Sequence, residues 1–171
     1  MRQPRRRSDC PISSALDLLG DKWSLLVMRD VLLRSKSHYR EFLASEEGIA
    51  TNILADRLAR LEAAGLLERT GEEPRSGKQA YRATAKGQDL IPLLLEMMVW
   101  SAAHDPQVAV PEMLIAELAR DRAAAARAIR DLGGVEAFLA RRANTTPDEP
   151  GLTGQGRVDP PQVSKRRRTS S

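Results

Sequence analysis

Residues 51–65 read TNILADRLARLEAAG, and residues 66–84 continue LLERTGEEPRSGKQAYRAT; the fold is decided here. In the first part Leu54, Leu58 and Leu61 fall four and three residues apart, which makes one narrow apolar stripe on an α-helix. Asn52, Asp56, Ala59, Arg60 and Ala63 lie on the opposite side, with Ile53 and Arg57 on its flank. Thr51 or a neighbour caps the start, and Gly65 suits a left-handed stop. The second part predicts a β-hairpin, with strands over 66–70 and 79–84 about a loop, 71–78, that holds Pro74 and Gly77. A helix with one buried stripe and one free polar face fits a major groove about 12 Å wide. The basic loop tip, Arg75-Ser76-Gly77-Lys78, then reaches adjacent phosphates or a minor groove. An amphipathic helix beside a hairpin in an unrelated α+β domain satisfies the same pattern.

Upstream, Pro11 opens a helix that Gly20 stops, and Asp21 caps a second, mostly buried helix over 23–33. A short helix over 38–44 presents Tyr39, Phe42 and Leu43, and Ser45 to Gly48 make a tight polar connection. Downstream, a long helix over 87–103 carries Leu90, Ile91, Leu94, Met97, Met98 and Trp100. That side is more apolar than one small domain needs, and it reads as an association surface. Residues 105–111 form a linker, 112–132 an Ala/Arg-rich helix ended by Gly133-Gly134, and a weaker helical stretch continues to about 142. From 144 onward Pro, Gly, Thr, Ser and Gln predict disorder, ending in the basic cluster Lys165 to Arg168. The expected fold is mainly α with a small β-hairpin wing: a winged helix-turn-helix domain with additional dimerisation helices. Its divisions are a flexible basic arm (1–9), the binding and dimerisation domain (10–104), a helical extension (105–143) and a tail (144–171).

The 171 residues hold 27 Lys+Arg against 23 Asp+Glu, a formal charge of +4. Its distribution says more than its sum. Residues 1–9 carry +3, residues 10–104 carry −1 and residues 105–171 carry +2, so the basicity lies at the ends. Affinity of the central domain for a polyanion must come from a few placed side chains, with the arms adding sequence-independent attraction. No apolar run reaches 18 residues, because Leu90 to Trp100 includes Pro92 and Glu96; no membrane span is expected. The N-terminal arginines precede no apolar signal core. A single cysteine excludes an internal disulfide and a cysteine-based zinc site within one chain. A cytoplasmic, nucleoid-associated protein is expected. His38 and His104 are isolated, there is no Gly-rich phosphate loop, and no nucleophile–His–acid set exists. The expectation is therefore no enzyme, no metal and no cofactor.

Several blocks, in order and spacing, resemble the HxlR-type transcriptional regulators. They are Cys10-Pro11-Ile12, Leu19-Gly20-Asp21-Lys22-Trp23, Tyr39-Arg40-Glu41-Phe42, Gly48 to Leu54, Arg57-Leu58 and Leu61 to Leu66. The wing adds Pro74, Tyr81, Thr84 and Lys86-Gly87. The resemblance covers residues 10 to about 104. It implies a homodimeric bacterial or archaeal repressor or activator, in which the helix at 51–64 reads DNA and the first and the long helix dimerise. His38 stands where the family commonly has Arg, with Arg40 available to substitute, and Ala83 stands where Leu is common. Beyond His104 the family implies nothing.

The candidate DNA-contacting residues are Arg40, Thr51, Asn52, Ile53, Asp56, Arg57, Arg60 and, in the wing, Arg75, Ser76 and Lys78. An Asn52 amide can bond adenine in bidentate fashion, a contact worth roughly 1–3 kcal/mol of discrimination; its bland role is helix capping beside Thr51. Arg57 either contacts DNA or pairs with an acidic residue such as Asp30. Arg60 suits phosphate or solvent, and Trp23 the core or a dimer interface. Cys10, at a helix start with Arg5, Arg6 and Arg7 near and Asp9 opposing, is either a redox- or electrophile-sensing thiol or an inert residue. The expected function is sequence-specific regulation, by default repression, by a homodimer on a pseudo-palindromic operator. The partners are double-stranded DNA, a second copy, and a small-molecule or oxidant signal. The rivals are a protein-interaction module and a non-specific architectural DNA binder acting through its basic ends.

Overall fold

A glycine stop and an aspartate cap lay down the first two helices. The computed structural model describes residues 8–71 and 79–145. Helix α1 (Pro11–Leu19) starts on a proline, whose missing N–H costs nothing in a first turn, and ends at Gly20. A Cβ at residue 20 would lie 2.3 Å from the Leu16 carbonyl oxygen, so only glycine fits. Helix α2 (Lys22–Leu33) starts on Asp21, whose Oδ1 accepts the amides of Trp23 and Ser24. Val27, Met28, Leu32 and Leu33 bury its inner face, and α2 is the central post of the domain.

Helix α3 (Tyr39–Leu43) and helix α4 (Thr51–Ala63) are joined by a turn in which Gly48 takes φ +65°. Strands β1 (Leu67–Thr70) and β2 (Ala80–Ala83) pair antiparallel, with Leu67 opposite Ala83 and Thr70 opposite Ala80. Residues 37–38 add a rung: His38 bridges Ala80, and the Tyr81 amide donates to the Ser37 carbonyl at 2.7 Å. Leu67 and Tyr81 are buried, and Tyr81 meets Phe42 edge-on at 6.2 Å between centroids.

Two expected helices are each broken in two. The segment expected as one helix over 87–103 is a single turn, α5 (Ala85–Gln88), followed by α6 (Ile91–His104). Pro92 causes the break: it lacks an N–H and its ring excludes the carbonyl four residues back, so it can only sit in the first turn of a new helix. Thr84 caps α5 by accepting the Gly87 amide at 3.1 Å. The segment expected as one helix over 112–132 is α7 (Glu112–Arg120) and α8 (Arg122–Leu132). Asp121 interrupts it with extended backbone and a carboxylate that accepts the Ala124 amide at 2.9 Å, a cap outcompeting continuation. Helix α9 (Val135–Thr145) follows Gly133, which closes α8 at φ +80°. It runs two residues into the stretch expected to be disordered, and buried Phe138 secures its middle in the common core.

The extension is seated by apolar burial of Leu114, Leu118, Ala125, Ile129 and Phe138. Polar ties mark where it sits. Ser35 Oγ donates to the Gly133 carbonyl at 2.6 Å, Arg130 meets Asp89 at 3.0 Å, and Arg122 meets Glu96 at 2.6 Å. Exposed pairs of this kind each contribute roughly 0–1 kcal/mol, so packing decides the seat.

Candidate nucleic-acid interface

Helix α4 is positioned on three sides. Leu54, Leu58 and Leu61 are buried against α2 and β1. At its start, the Tyr39 hydroxyl donates to the Thr51 carbonyl at 2.8 Å, which ties α3 to α4. At its end, the Leu66 amide reaches the Leu61 carbonyl and the Gly65 amide the Glu62 carbonyl, both at 2.9 Å, with Gly65 at φ +67°. This double closure needs a left-handed residue, which is why glycine stands there. Lys86 adds a bond of 2.7 Å from its Nζ to the Ala64 carbonyl.

The N-cap of α4 is Ala50, not Thr51, and it offers no side-chain acceptor. Thr51 is the first helical residue. Among the described residues the opening amides therefore have no side-chain partner, an arrangement suited to phosphate. Thr51, Asn52, Ala55, Asp56, Ala59, Arg60 and Ala63 are all exposed, on the side away from the leucine stripe. Three of these are alanines, so the backbone itself can come close to a groove floor. Ile53 and Arg57 flank this face and are half-buried. Among the described residues, neither Arg40 nor Arg60 makes an ion pair. Arg75, Ser76 and Lys78 of the wing tip lie outside the described residues.

Arg57 pairs with Asp21 rather than with Asp30. Its Nε lies 3.3 Å from Asp21 Oδ1 and its Nη1 lies 3.4 Å from Asp56 Oδ2. Neither approach has hydrogen-bond geometry, and both nitrogens are shielded from solvent. The side chain is 16% exposed, with its charge between Asp21 at the start of α2 and Asp56 on α4. Asp21 is held below the ordinary carboxylate value: burial opposes the shift, but hydrogen bonds from the Ser24 hydroxyl and amide and the charge of Arg57 outweigh it.

Asp30 has other work. Buried at 3% exposure, its Oδ1 accepts Nε and Nη2 of Arg29 at 3.0 and 2.7 Å, and its Oδ2 accepts Lys36 at 3.1 Å and the Ser45 hydroxyl. Arg29 also grips Glu47. This cluster clamps the turn leading into α4. The hydrogen bond from Arg29 is the main reason that the Glu47 carboxyl is lowered to about 2. The amides of Ser37 and His38, both 2.7 Å from Glu41 Oε2, lower Glu41 in the same direction and fix the start of α3. On the strands, Arg69 is tied to Glu62 at 2.8 Å and Arg82 to Glu68 at 2.8 Å.

Sequence patterning did not point to Asp21, Tyr39 or Lys86 as positioning residues for α4. Asp21 was legible as a cap, but nothing local connects it with Arg57, 36 positions later. Elsewhere, α1 and α6 carry unpartnered apolar surface: Ile12 is 70% exposed and Trp100 66%, with Leu16, Leu93 and Met97 also open. Cys10 is exposed at the N-cap of α1. No described helix is long and apolar enough to cross a membrane.

A helix laid across the domain by its own leucine stripe, with its far face open and an antiparallel hairpin behind it, defines a winged helix-turn-helix. Residues 18–109 match the model of the HxlR-like helix-turn-helix family, and the chain belongs to that family. Its similarity to the curated HTH-type transcriptional regulator sll1512 of Synechocystis is 34% identity over 88 residues, 52% of this chain and 64% of that one. The chain thus spans somewhat under two thirds of the first curated relatives it matches, proteins named as HTH-type transcriptional regulators. Among solved structures, PA1607 is 36% identical over 62% of this chain and 70% of its own, with a TM-score of 0.53. The redox regulator HypR in its oxidised form is 28% identical over 56% of this chain and 97% of its own, with a TM-score of 0.50.

Proposed function

We propose that the protein is a sequence-specific DNA-binding transcriptional regulator, acting as a homodimer on a pseudo-palindromic operator and repressing by occlusion of the promoter. The observation that carries this is the open face of α4, with Asn52 and Arg60 exposed, small alanines between them and no side-chain cap on the first amides. Family membership supports it, as does the exposed apolar surface of α1 and α6, which suits a two-fold interface. Two copies of α4 related by that axis enter successive major grooves about 34–36 Å apart. Asn52 reads a base edge and Arg40 and Arg60 hold phosphates, with Arg75, Ser76 and Lys78 proposed as further DNA contacts from the sequence alone. Such a protein works in the cytoplasm, on the nucleoid.

The test is a DNA titration with the chain's own upstream region and a scrambled duplex, at two salt concentrations. Preference for the upstream region, with affinity falling steeply with salt, is the expected result. Equal affinity for both duplexes supports architectural binding instead, and no affinity for either supports a protein-interaction module. Sizing and Trp100→Asp check the dimer: the wild type elutes as two chains and the variant as one.

Cys10 gives this reading a redox arm. The thiol is exposed, and a structural relative bears the name redox regulator. Oxidation at Cys10 is expected to change operator affinity. If peroxide-treated wild type binds as the untreated protein does, the redox arm is wrong and the DNA reading stands.

A further inference from the structure

The extension makes a cavity with the winged-helix domain. The segment 108–110 and Val135 line the groove between α2 and α6, which stays open to solvent and holds about 430 Å³. Leu25, Leu26, Leu94, Met98 and Val110 line it together with Ser101, Arg34 and Arg29, the last already bonded to Asp30 and Glu47. The volume falls within the range that takes a small organic ligand. The lining among the described residues holds no aromatic ring, so it offers flexible aliphatic surface and no stacking platform.

Arg34 sets the polarity of the occupant. Its guanidinium donates no hydrogen bond among the described residues, and its nearest carboxylate, Asp30 Oδ1, is 3.8 Å away. That carboxylate has already accepted four donors, two from Arg29 and one each from Lys36 and Ser45, which fills the roughly four lone-pair positions a carboxylate has. Glu46 lies beside an adjoining cavity that Arg34 also lines, yet the two make no ion pair. Arg34 therefore lines the aliphatic cavity with one long ion pair, to Asp30, and no hydrogen bond among the described residues.

We propose that this cavity binds a medium-chain aliphatic carboxylate, with the chain between α2 and α6 and the carboxylate on Arg34. The family match ends at residue 109, so the wall supplied by Val110 and Val135 belongs to this chain's own extension. The inference concerns binding to the free protein and does not depend on the DNA reading.

Octanoate and its uncharged counterpart octanamide, titrated calorimetrically into the full chain without DNA, test it. Octanoate is expected to bind once per chain, with octanamide about tenfold or more weaker, the factor a charge-assisted hydrogen bond supplies. Arg34→Gln should bring the two to the same affinity, and Ser101→Trp should abolish both by filling the cavity. Ala109→Trp, at an exposed position on the rim, serves if Ser101→Trp melts early. Equal binding of octanoate and octanamide to the wild type, unchanged octanoate binding by Arg34→Gln or by both tryptophan variants, or no octanoate binding at millimolar concentration would each overturn the proposal.

Discussion

Replacing Asp21 with Ala removes three interactions whose costs differ. The cap goes first: the amides of Trp23 and Ser24, at 3.1 and 3.0 Å from Oδ1, lose their acceptor, a loss of about 1 kcal/mol. The Ser24 hydroxyl, 2.6 Å from Oδ2, is stranded in a residue only 1% exposed, where no solvent replaces the bond; that costs roughly 1–3 kcal/mol. Arg57 loses a contact at 3.3 Å that lacks hydrogen-bond geometry and keeps Asp56, so this part is below about 1 kcal/mol. The expected destabilisation is about 2–4 kcal/mol, dominated by Ser24. At about 2–4 °C per kcal/mol for a chain of this size, the midpoint falls by roughly 5–15 °C. Urea unfolding followed by circular dichroism measures the first quantity and calorimetry the second. The double variant Asp21→Ala/Ser24→Ala separates the parts, since without its hydroxyl Ser24 has nothing left to strand. A loss under about 0.5 kcal/mol for Asp21→Ala, or a double variant that recovers nothing, refutes this apportioning.

The other expectations concern the α4 face, the acid limb and the extension. Arg60→Ala should lower the slope of log affinity against log salt by about 1.8 for the homodimer, about 0.9 from each copy, while melting is unchanged, since an exposed cation without an ion pair has little to do in the fold; an unchanged slope removes Arg60 from the contact set. Asn52→Ala should cost roughly 1–3 kcal/mol of preference at one base pair in each half-site and leave the salt slope alone, which competition with single-base operator variants would reveal. Glu47, ordinarily near 4.5, is depressed to about 2 in the folded chain, so its stabilisation is present above pH 4.5 and is lost as pH falls towards 2. Glu47→Gln should therefore flatten the fall in unfolding free energy between pH 5 and pH 2.5, and an equally steep fall in the variant would assign the acid limb elsewhere. Phe138→Ala should cost about 3–5 kcal/mol; a loss below about 1 kcal/mol would show that α9 does not unfold with the core.

Legibility in the sequence followed the range of the forces involved. The stripe of Leu54, Leu58 and Leu61, the Gly65 stop, the Asp21 cap and the hairpin are local patterns, and each falls within a residue or two of its expected place. The two broken helices show where periodicity misleads. Hydrophobic spacing runs on through Pro92 and Asp121, although a missing N–H and a competing carboxylate cap each end a helix there. The partners of Arg57, Asp30 and Tyr39 were out of reach for a different reason. Asp21, Ser45 and Thr51, their distant partners, lie 36, 15 and 12 positions away respectively and meet them only after α2, α3 and α4 have packed. The open side of α4 could be read because helical geometry alone decides it. The extension's wall over the α2–α6 groove could not, because it depends on the path of residues 105–111.

The exposed alanines of α4 have an evolutionary consequence. Ala55, Ala59 and Ala63 contribute no side chain to the core, and all three face outward. Exchanging any of them for Gln, Arg or Lys changes helix propensity by only a few tenths of a kcal/mol. On the proposed reading, such an exchange places a new donor or acceptor against the groove without disturbing a packed contact. A duplicated copy of this chain could thus acquire a different operator in one or two steps, each step invisible to folding and exposed to selection only through the promoters it begins or ceases to occupy.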